Sequence, residues 1–292
     1  MTVLYKYCDQ SGIVKILETL ELKLPYISDV NDPLECLPIL YCPNDRAAIE
    51  AHTANLFKRR NLVLPVDYKE QLSQGKIPEM LEKSHWTLQR EWNQRSCLLS
   101  VSKTAQNTVM WAHYTDKHKG AVIGIDYDNI FPREWLSQLR ECFATIGIDY
   151  DNIPPGTKKE CGIFMNPVEY SKKRPKINIL TDITEENFCK VILTKSNDWN
   201  YEEEFRALFI DAFLSGLERE GLSCLKDFNG KKTWFLRLNP QSIREIVFGL
   251  YAEDSLKSAI RKLIERPELQ HVKLYQAEET ETYTLNLAEI KK

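Results

Sequence analysis

Short strand-like runs recur along the whole chain between helix-like segments, and no Gly/Ser-rich or Pro-rich linker separates them. Runs rich in aromatic and β-branched residues, such as VLYKYC at 3–8 and EFRALFI at 204–210, are typical of strands. Apolar residues spaced by three and four positions, as in 13–20, indicate helices between them. The pattern predicts one α+β domain over residues 1–292, with a mostly helical insert at about 44–95.

Composition and charge argue against several classes of protein. A chain of 292 residues with 43% hydrophobic and 28% charged residues buries a sizeable core and is not disordered. The net charge of -3 gives no global basic field for nucleic acid. The first residues lack the features of a signal peptide, and no run reaches the roughly 18 apolar residues of a membrane helix. We expect a cytoplasmic protein that does not associate with membranes.

The eight cysteines are scattered, and no pair has the CxxC spacing of a common zinc site. Reduced thiols are therefore favoured over disulfides, and no metal is expected. The chain also lacks the GxSxG, GxGxxG and GxxxxGK[ST] motifs, so a serine hydrolase, a Rossmann dehydrogenase and a P-loop NTPase are not supported.

The segment YEEEFR at 201–206 places three glutamates at the start of a strand that is otherwise apolar. Strand alternation predicts Glu202, Glu204 and Arg206 on one face, and Glu203 on the other. Two carboxylates followed by a guanidinium indicate a directional acid site. The alternative is a solvated strand face on which Arg206 simply pairs with Glu204.

A second cluster, MWAHYTDKHKG at 110–120, offers His113 and Tyr114 as a general base, a phosphate ligand or stacking groups.

The remaining candidates are Trp199 and Tyr201 as walls for a planar ligand, Lys6 and Tyr7 on the first strand, Asn31 and Asp32 in a proline turn, and Ser100 and Ser102 on a buried strand. Each of these residues also has a structural alternative. Asn31 and Asp32 could form a turn and cap a helix, Lys6 could face solvent, and the hydroxyls of Ser100 and Ser102 could be hydrogen-bonded within the sheet.

The octapeptide IGIDYDNI occurs at 123–130 and again at 146–153. A solenoid needs at least about three repeats to bury a continuous core, so two copies indicate a local duplication.

Several of these segments, taken in order, resemble a bacterial family, the domain-of-unknown-function (DUF) family 2971. They are LYKY, NDPLE, MWAHYTDKHKGAVIGID, VEY, K…W.YEEEFR and EIVFGL, between about residues 4 and 255. The family name carries no established activity.

A more distant resemblance is to ADP-ribosyltransferase-fold toxins, because a tyrosine-rich first strand and its helix precede a serine-bearing strand and a late Glu-x-Glu strand. This resemblance implies a central, mainly antiparallel split sheet and NAD as substrate. It also implies Glu204 as the catalytic residue and Glu202 as the acceptor-side residue. Ser100 or Ser102 would shape the nicotinamide pocket, and Lys6 would be the cation of the first strand.

Three hypotheses of function follow. The first is an NAD-dependent ADP-ribosyltransferase or NAD glycohydrolase, as in a bacterial toxin or phage-defence effector, with a protein or nucleic-acid acceptor and an antitoxin or defence partner. The second is a metal-dependent nuclease or hydrolase that uses Asp32, Glu35, Glu202, Glu204 and Lys195. The third is a non-catalytic sensor or partner protein whose glutamates only satisfy arginines.

Overall fold

The chain is described by a computed structural model that covers residues 3–59, 61–131 and 165–291. It divides into two compact units, each built from separate segments of the chain. The first unit comprises Met1–Tyr26, Ser96–Val168 and Asp198–Lys292, and the second comprises Ile27–Arg95 and Glu169–Asn197.

The strands and helices follow one another along the chain as mixed α and β structure. The strands are β1 (Val3–Cys8), β2 (Glu21–Leu24), β3 (Ile39–Tyr41), β4 (Ser96–Ser102), β5 (Ala121–Asp126), β6 (Asn166–Pro167), β7 (Glu169–Ser171), β8 (Lys176–Asn178), β9 (Thr194–Ser196), β10 (Glu204–Ile210), β11 (Ser223–Phe228), β12 (Lys231–Arg237), β13 (Ile243–Phe248), β14 (Lys273–Glu279) and β15 (Leu285–Ile290). The α-helices are α1 (Gln10–Thr19), α2 (Arg46–Arg59), α3 (Tyr68–Ser73), α4 (Lys76–Asn93), α5 (Thr108–Tyr114), α6 (Glu185–Leu193), α7 (Asp211–Arg219) and α8 (Asp254–Ile264).

An eight-stranded sheet with the order β15-β14-β13-β5-β1-β4-β10-β6 organises the first unit. Its neighbours are antiparallel except for the parallel pair β13 and β14. A separate three-stranded sheet joins β11, β12 and β2. The prediction of an α+β fold with a mainly antiparallel sheet is confirmed.

The main core of the first unit lies on the sheet face that α1 and α8 cover. Helix α1 begins after Asp9, whose carboxylate accepts from the backbone N–H of Gly12 at 2.6 Å, and its apolar stripe is buried. In β1, Leu4 and Cys8 enter this core, as strand alternation requires. The opposite face carries a second cluster around Tyr7 and the fully buried Trp111.

The second unit contains α2, α3, α4 and α6 and two parallel strand pairs, β3 with β8 and β7 with β9. One apolar cluster holds its two chain segments together; it includes Leu40, Ile49 and Leu81 from the first segment and Ile177 and Val191 from the second. The predicted helical segment 44–95 contains α2, α3 and α4. The single-domain organisation stays a prediction.

The first copy of IGIDYDNI forms part of β5 and the 3-10 turn Tyr127–Asn129 that follows it. The second copy, at 146–153, lies outside the described residues. In the described ranges, no helix combines the length and the apolar character needed to cross a membrane.

Candidate functional site

A buried ion pair marks the start of β10. The guanidinium of Arg206 donates through Nε to Glu204 Oε1 at 2.7 Å and through Nη2 to Glu204 Oε2 at 2.8 Å. Arg206 and Glu204 are only 1% and 5% exposed. The two residues share a strand face, as the alternation predicted, and they form the pair that the alternative described, but the face is buried and not solvated. Both oxygens of Glu204 are engaged in a bidentate pair.

Glu202 does not lie on the strand, and the prediction that it follows strand alternation is wrong. It ends the 3-10 helix Asn197–Glu202, and β10 begins only at Glu204. The residue between them, Glu203, has a φ of 43° and is exposed. This left-handed residue separates the 3-10 helix from the strand, so the two-residue period of β10 does not extend to Glu202. Glu202 is nevertheless 3% exposed.

Tyr114 connects the two motifs that the sequence singled out. Its hydroxyl donates to Glu202 Oε1 at 2.7 Å, so α5 and the acidic segment meet. Rings continue from this point: His113 lies 6.3 Å from Tyr114 and 6.2 Å from Tyr201 between ring centroids. Trp199 extends the row, with its ring centroid 6.1 Å from that of Tyr201. The acidic–aromatic cluster is defined as Glu202, Glu204, Arg206, His113, Tyr114, Trp199 and Tyr201.

Asn107 holds the two halves of this cluster together, and sequence reasoning missed it. Its side-chain oxygen accepts from the backbone N–H of Met110 at 3.0 Å and caps α5. Its side-chain nitrogen donates to the backbone carbonyl of Tyr201 at 2.8 Å. An asparagine just before the helical run NTVMWAHY was the available signal for the cap. The bond to Tyr201 has no local signal, because 94 residues separate the partners.

The strand β4 brings both predicted serines alongside β10. Register pairs Glu204 with Ser102 and Arg206 with Ser100, and directly paired residues of an antiparallel ladder share a face. Ser102 is fully buried, and its hydroxyl accepts from the backbone N–H of Thr104 at 3.3 Å. The serines therefore lie beside the ion pair.

The first-strand candidates Lys6 and Tyr7 have structural partners. Lys6 is paired with Ile123 on the core face, opposite to Glu204, and its Nζ donates to the Ser100 carbonyl at 2.8 Å. Burial lowers the pKa of the Lys6 ammonium, although Cys8 and the carboxylates of Glu204 and Glu202 act in the opposite direction. The Tyr7 hydroxyl donates to the Thr104 carbonyl at 2.9 Å, and burial raises its pKa.

A cavity of about 490 Å³ lies next to the cluster in the first unit. It is lined by Asp9, Gln10, Ser11, His113, Tyr114 and Asp116. His113 and Asp116 are exposed, whereas Tyr114 is partly buried and reaches Glu202. Two carboxylates at this opening favour a ligand group that carries positive charge.

The candidates Asn31 and Asp32 belong to the second unit, whereas the acidic–aromatic cluster is built within the first. Asp32 forms the predicted turn, since its carboxylate accepts from the backbone N–H of Leu34 at 2.9 Å. Glu35 and Lys195, also in the second unit, form a buried ion pair at 3.7 Å. Among the residues that the structure covers, no group of three or more His, Cys, Asp and Glu is arranged to hold a metal ion.

Comparison with protein families shows that residues 110–207 match the family described as "Protein of unknown function (DUF2971)". This match covers about a third of the chain and includes both the MWAHY and the YEEEFR segments. The LYKY, NDPLE and EIVFGL segments lie outside the matched residues. No curated protein and no solved structure matched the chain, so the comparisons give no support to the resemblance to ADP-ribosyltransferases.

Proposed function

We propose that this protein cleaves the N-glycosidic bond of NAD, as a glycohydrolase or an ADP-ribosyltransferase. One observation carries the proposal: a buried carboxylate, Glu202, accepts a 2.7 Å hydrogen bond from Tyr114 at the end of a row of aromatic rings. Aromatic rings can contact a planar base, and a carboxylate can contact the sugar to which the base is attached. A role in a bacterial toxin or phage-defence system fits an activity that consumes NAD.

The reaction assigns a clear task to the carboxylate. The bond between ribose C1′ and the nicotinamide nitrogen breaks, and its electron pair neutralises the pyridinium. Positive charge develops on the ribose, and a fixed carboxylate stabilises this charge in the transition state. The acceptor oxygen, from water, protein or nucleic acid, then bonds to C1′ and releases its proton.

We assign the catalytic role to Glu202 rather than to Glu204. The two oxygens of Glu204 accept hydrogen bonds from the Arg206 guanidinium, so we treat this pair as a positioning element within the cluster. Glu202 lies beside Tyr114, whose ring also lines the cavity of about 490 Å³. A cavity with Asp9 and Asp116 at its wall favours the cationic nicotinamide end of NAD over the pyrophosphate.

The test is the release of nicotinamide from NAD by purified protein, measured by chromatography. Replacing Glu202 by Gln is expected to lower the rate by about 100-fold or more, because a neutral amide cannot stabilise the developing cation. Tyr114→Phe, which removes only the hydroxyl that positions Glu202, is expected to lower the rate less.

Glu203→Gln is the matched control, since the same chemical change falls on the exposed neighbour. It is expected to keep the wild-type rate. Absence of nicotinamide release by the wild-type protein, or equal rates for Glu202→Gln and wild type, would refute the proposal. Detection of free ADP-ribose identifies water as the acceptor.

A further inference from the structure

A second cavity, of about 540 Å³, lies within the second unit beside the loop that joins β7 to β8. The loop sequence SKKRPK places four cations on the wall, at Lys172, Lys173, Arg174 and Lys176, and all four are exposed. In the described part of the chain, none of the four is in an ion pair with an acidic side chain. Although the whole chain has a net charge of -3, positive charge is concentrated on this wall of the cavity.

The loop is held at both ends, so the cations stand on an ordered backbone. At one end β7 pairs with β9, Ser171 opposite Ser196, and at the other β8 pairs with β3, Lys176 opposite Ile39. The Ser171 hydroxyl accepts from the backbone N–H of Lys173 at 3.0 Å. A preorganised loop loses less entropy when its side chains bind a ligand.

The acidic groups of the cavity do not cancel this charge. Glu35 is paired with the buried Lys195 at 3.7 Å, so one carboxylate is already neutralised within the wall. Asp32 is the other carboxylate, and it accepts from the backbone N–H of Leu34. Five cations and two carboxylates line the cavity, which leaves an excess of positive charge.

The wall also carries aliphatic side chains, beside Cys36 and the hydroxyls of Ser171, Thr194 and Ser196. Leu34, Leu37, Ile39 and Val191 line the cavity, and its described lining includes no aromatic side chain. Single-stranded nucleic acids are usually held by aromatic rings on which the bases stack. The combination of cations and aliphatic side chains suits a small anion with an apolar part.

We propose that this cavity binds a small organic phosphate ester, with the phosphate at the loop cations and the organic part against the aliphatic side chains. Charge-assisted hydrogen bonds to Lys and Arg are the strongest contacts that a phosphate makes. The site uses no residue of the acidic–aromatic cluster and is independent of the reaction proposed for it.

Isothermal titration calorimetry at low ionic strength tests the proposal with two probes, inorganic phosphate and hexyl phosphate. Hexyl phosphate is expected to bind about tenfold more tightly or better, because its methylene groups are buried against the aliphatic wall. The triple variant Lys172→Ala, Lys173→Ala, Arg174→Ala is expected to weaken binding of both probes by about tenfold or more.

The matched control is Lys69→Ala, Lys76→Ala, Lys83→Ala, which removes three exposed cations of the same unit that do not line the cavity. It is expected to bind both probes as the wild type does, and thermal melting verifies that both variants fold. Failure of hexyl phosphate to bind, or equal weakening in the control, would overturn the proposal. Tight binding of an oligonucleotide of about 12 bases, with neither phosphate bound, would replace it by a nucleic-acid surface.

Discussion

At the scale of single residues, the pair of Glu204 and Arg206 dominates the electrostatics of the main sheet. A guanidinium that is 1% exposed is stable only with its charge compensated and its N–H groups bonded. Glu204 contributes a compensating charge and accepts two of these N–H groups, through bonds of 2.7 and 2.8 Å. A substitution at Glu204 is therefore expected to lower the stability of the fold, whatever its effect on catalytic activity.

Replacing Glu204 by Gln is expected to lower the free energy of unfolding by about 3–5 kcal/mol, because it removes the carboxylate that accepts two charge-assisted hydrogen bonds from the buried Arg206. Urea denaturation measures the loss. Glu203→Gln, on the exposed neighbour, is expected to change stability by less than about 0.5 kcal/mol. The double variant Glu204→Leu, Arg206→Met is expected to recover part of the stability, since the buried guanidinium is removed together with its carboxylate partner.

Wild-type stability of Glu204→Gln would show that the pair is dispensable. The predicted instability has a consequence for function, because lost activity in this variant would not identify Glu204 as a catalytic residue. Glu202→Gln is the more informative substitution, since Glu202 accepts a hydrogen bond from Tyr114, which also lines the cavity of about 490 Å³.

At the scale of elements, the cluster depends on how α5 is attached to the 3-10 helix Asn197–Glu202. The link is Asn107, which caps α5 through its side-chain oxygen and donates from its side-chain nitrogen to the Tyr201 carbonyl at 2.8 Å. The hydrogen bond from Asn107 therefore holds α5 close to the segment that carries Tyr201. The ring centroids of His113 and Tyr201 are 6.2 Å apart.

The two roles of Asn107 are separable by substitution. Asn107→Ser keeps a capping oxygen but loses the bond to Tyr201, and it is expected to cost about 1 kcal/mol of stability. Asn107→Ala loses both and is expected to cost about 2 kcal/mol. Urea denaturation measures both values, and equal stabilities of the two variants would mean that the cap contributes nothing.

At the scale of the whole molecule, the chain passes between its two units and back, so neither unit is a continuous stretch of sequence. Within the first unit, the ends of the excursion 27–95 lie side by side: Tyr26 and Cys97 form a β-bridge, and Leu98 donates to the Pro25 carbonyl at 3.0 Å. Residues 27–95 can therefore be replaced by a short linker without separating these ends.

Such a deletion is expected to unfold residues 169–197, because Ile177, Ile179 and Val191 share one apolar cluster with side chains of the deleted segment. Hydrogen exchange measures this outcome. Amides of 169–197 are expected to lose protection, whereas those of β13 and β14 keep it. Continued protection of 169–197 would show that this segment folds without its partner.

Local patterns predicted many elements well. The strand run at 3–8 and the strand run at 204–210 coincide with β1 and β10, and the apolar spacing at 13–20 predicted α1. These elements depend on residues within one or two turns of each other, where period and capping are visible. The burial of Glu204 and Arg206 was not visible, because their surroundings come from distant strands.

The sequence pattern by itself predicted an α+β protein and identified both motifs of the acidic–aromatic cluster, whereas the mainly antiparallel sheet was expected only from the distant resemblance. Tertiary structure alone decided which glutamate occupies which position. A left-handed Glu203 moves Glu202 off the strand toward Tyr114, and β4 and β10 bury Glu204 against Arg206. Strand alternation predicts on which face of a strand a side chain lies. Whether that face is buried, and which residues it contacts, depends on the turns of the chain and on the pairing of distant strands.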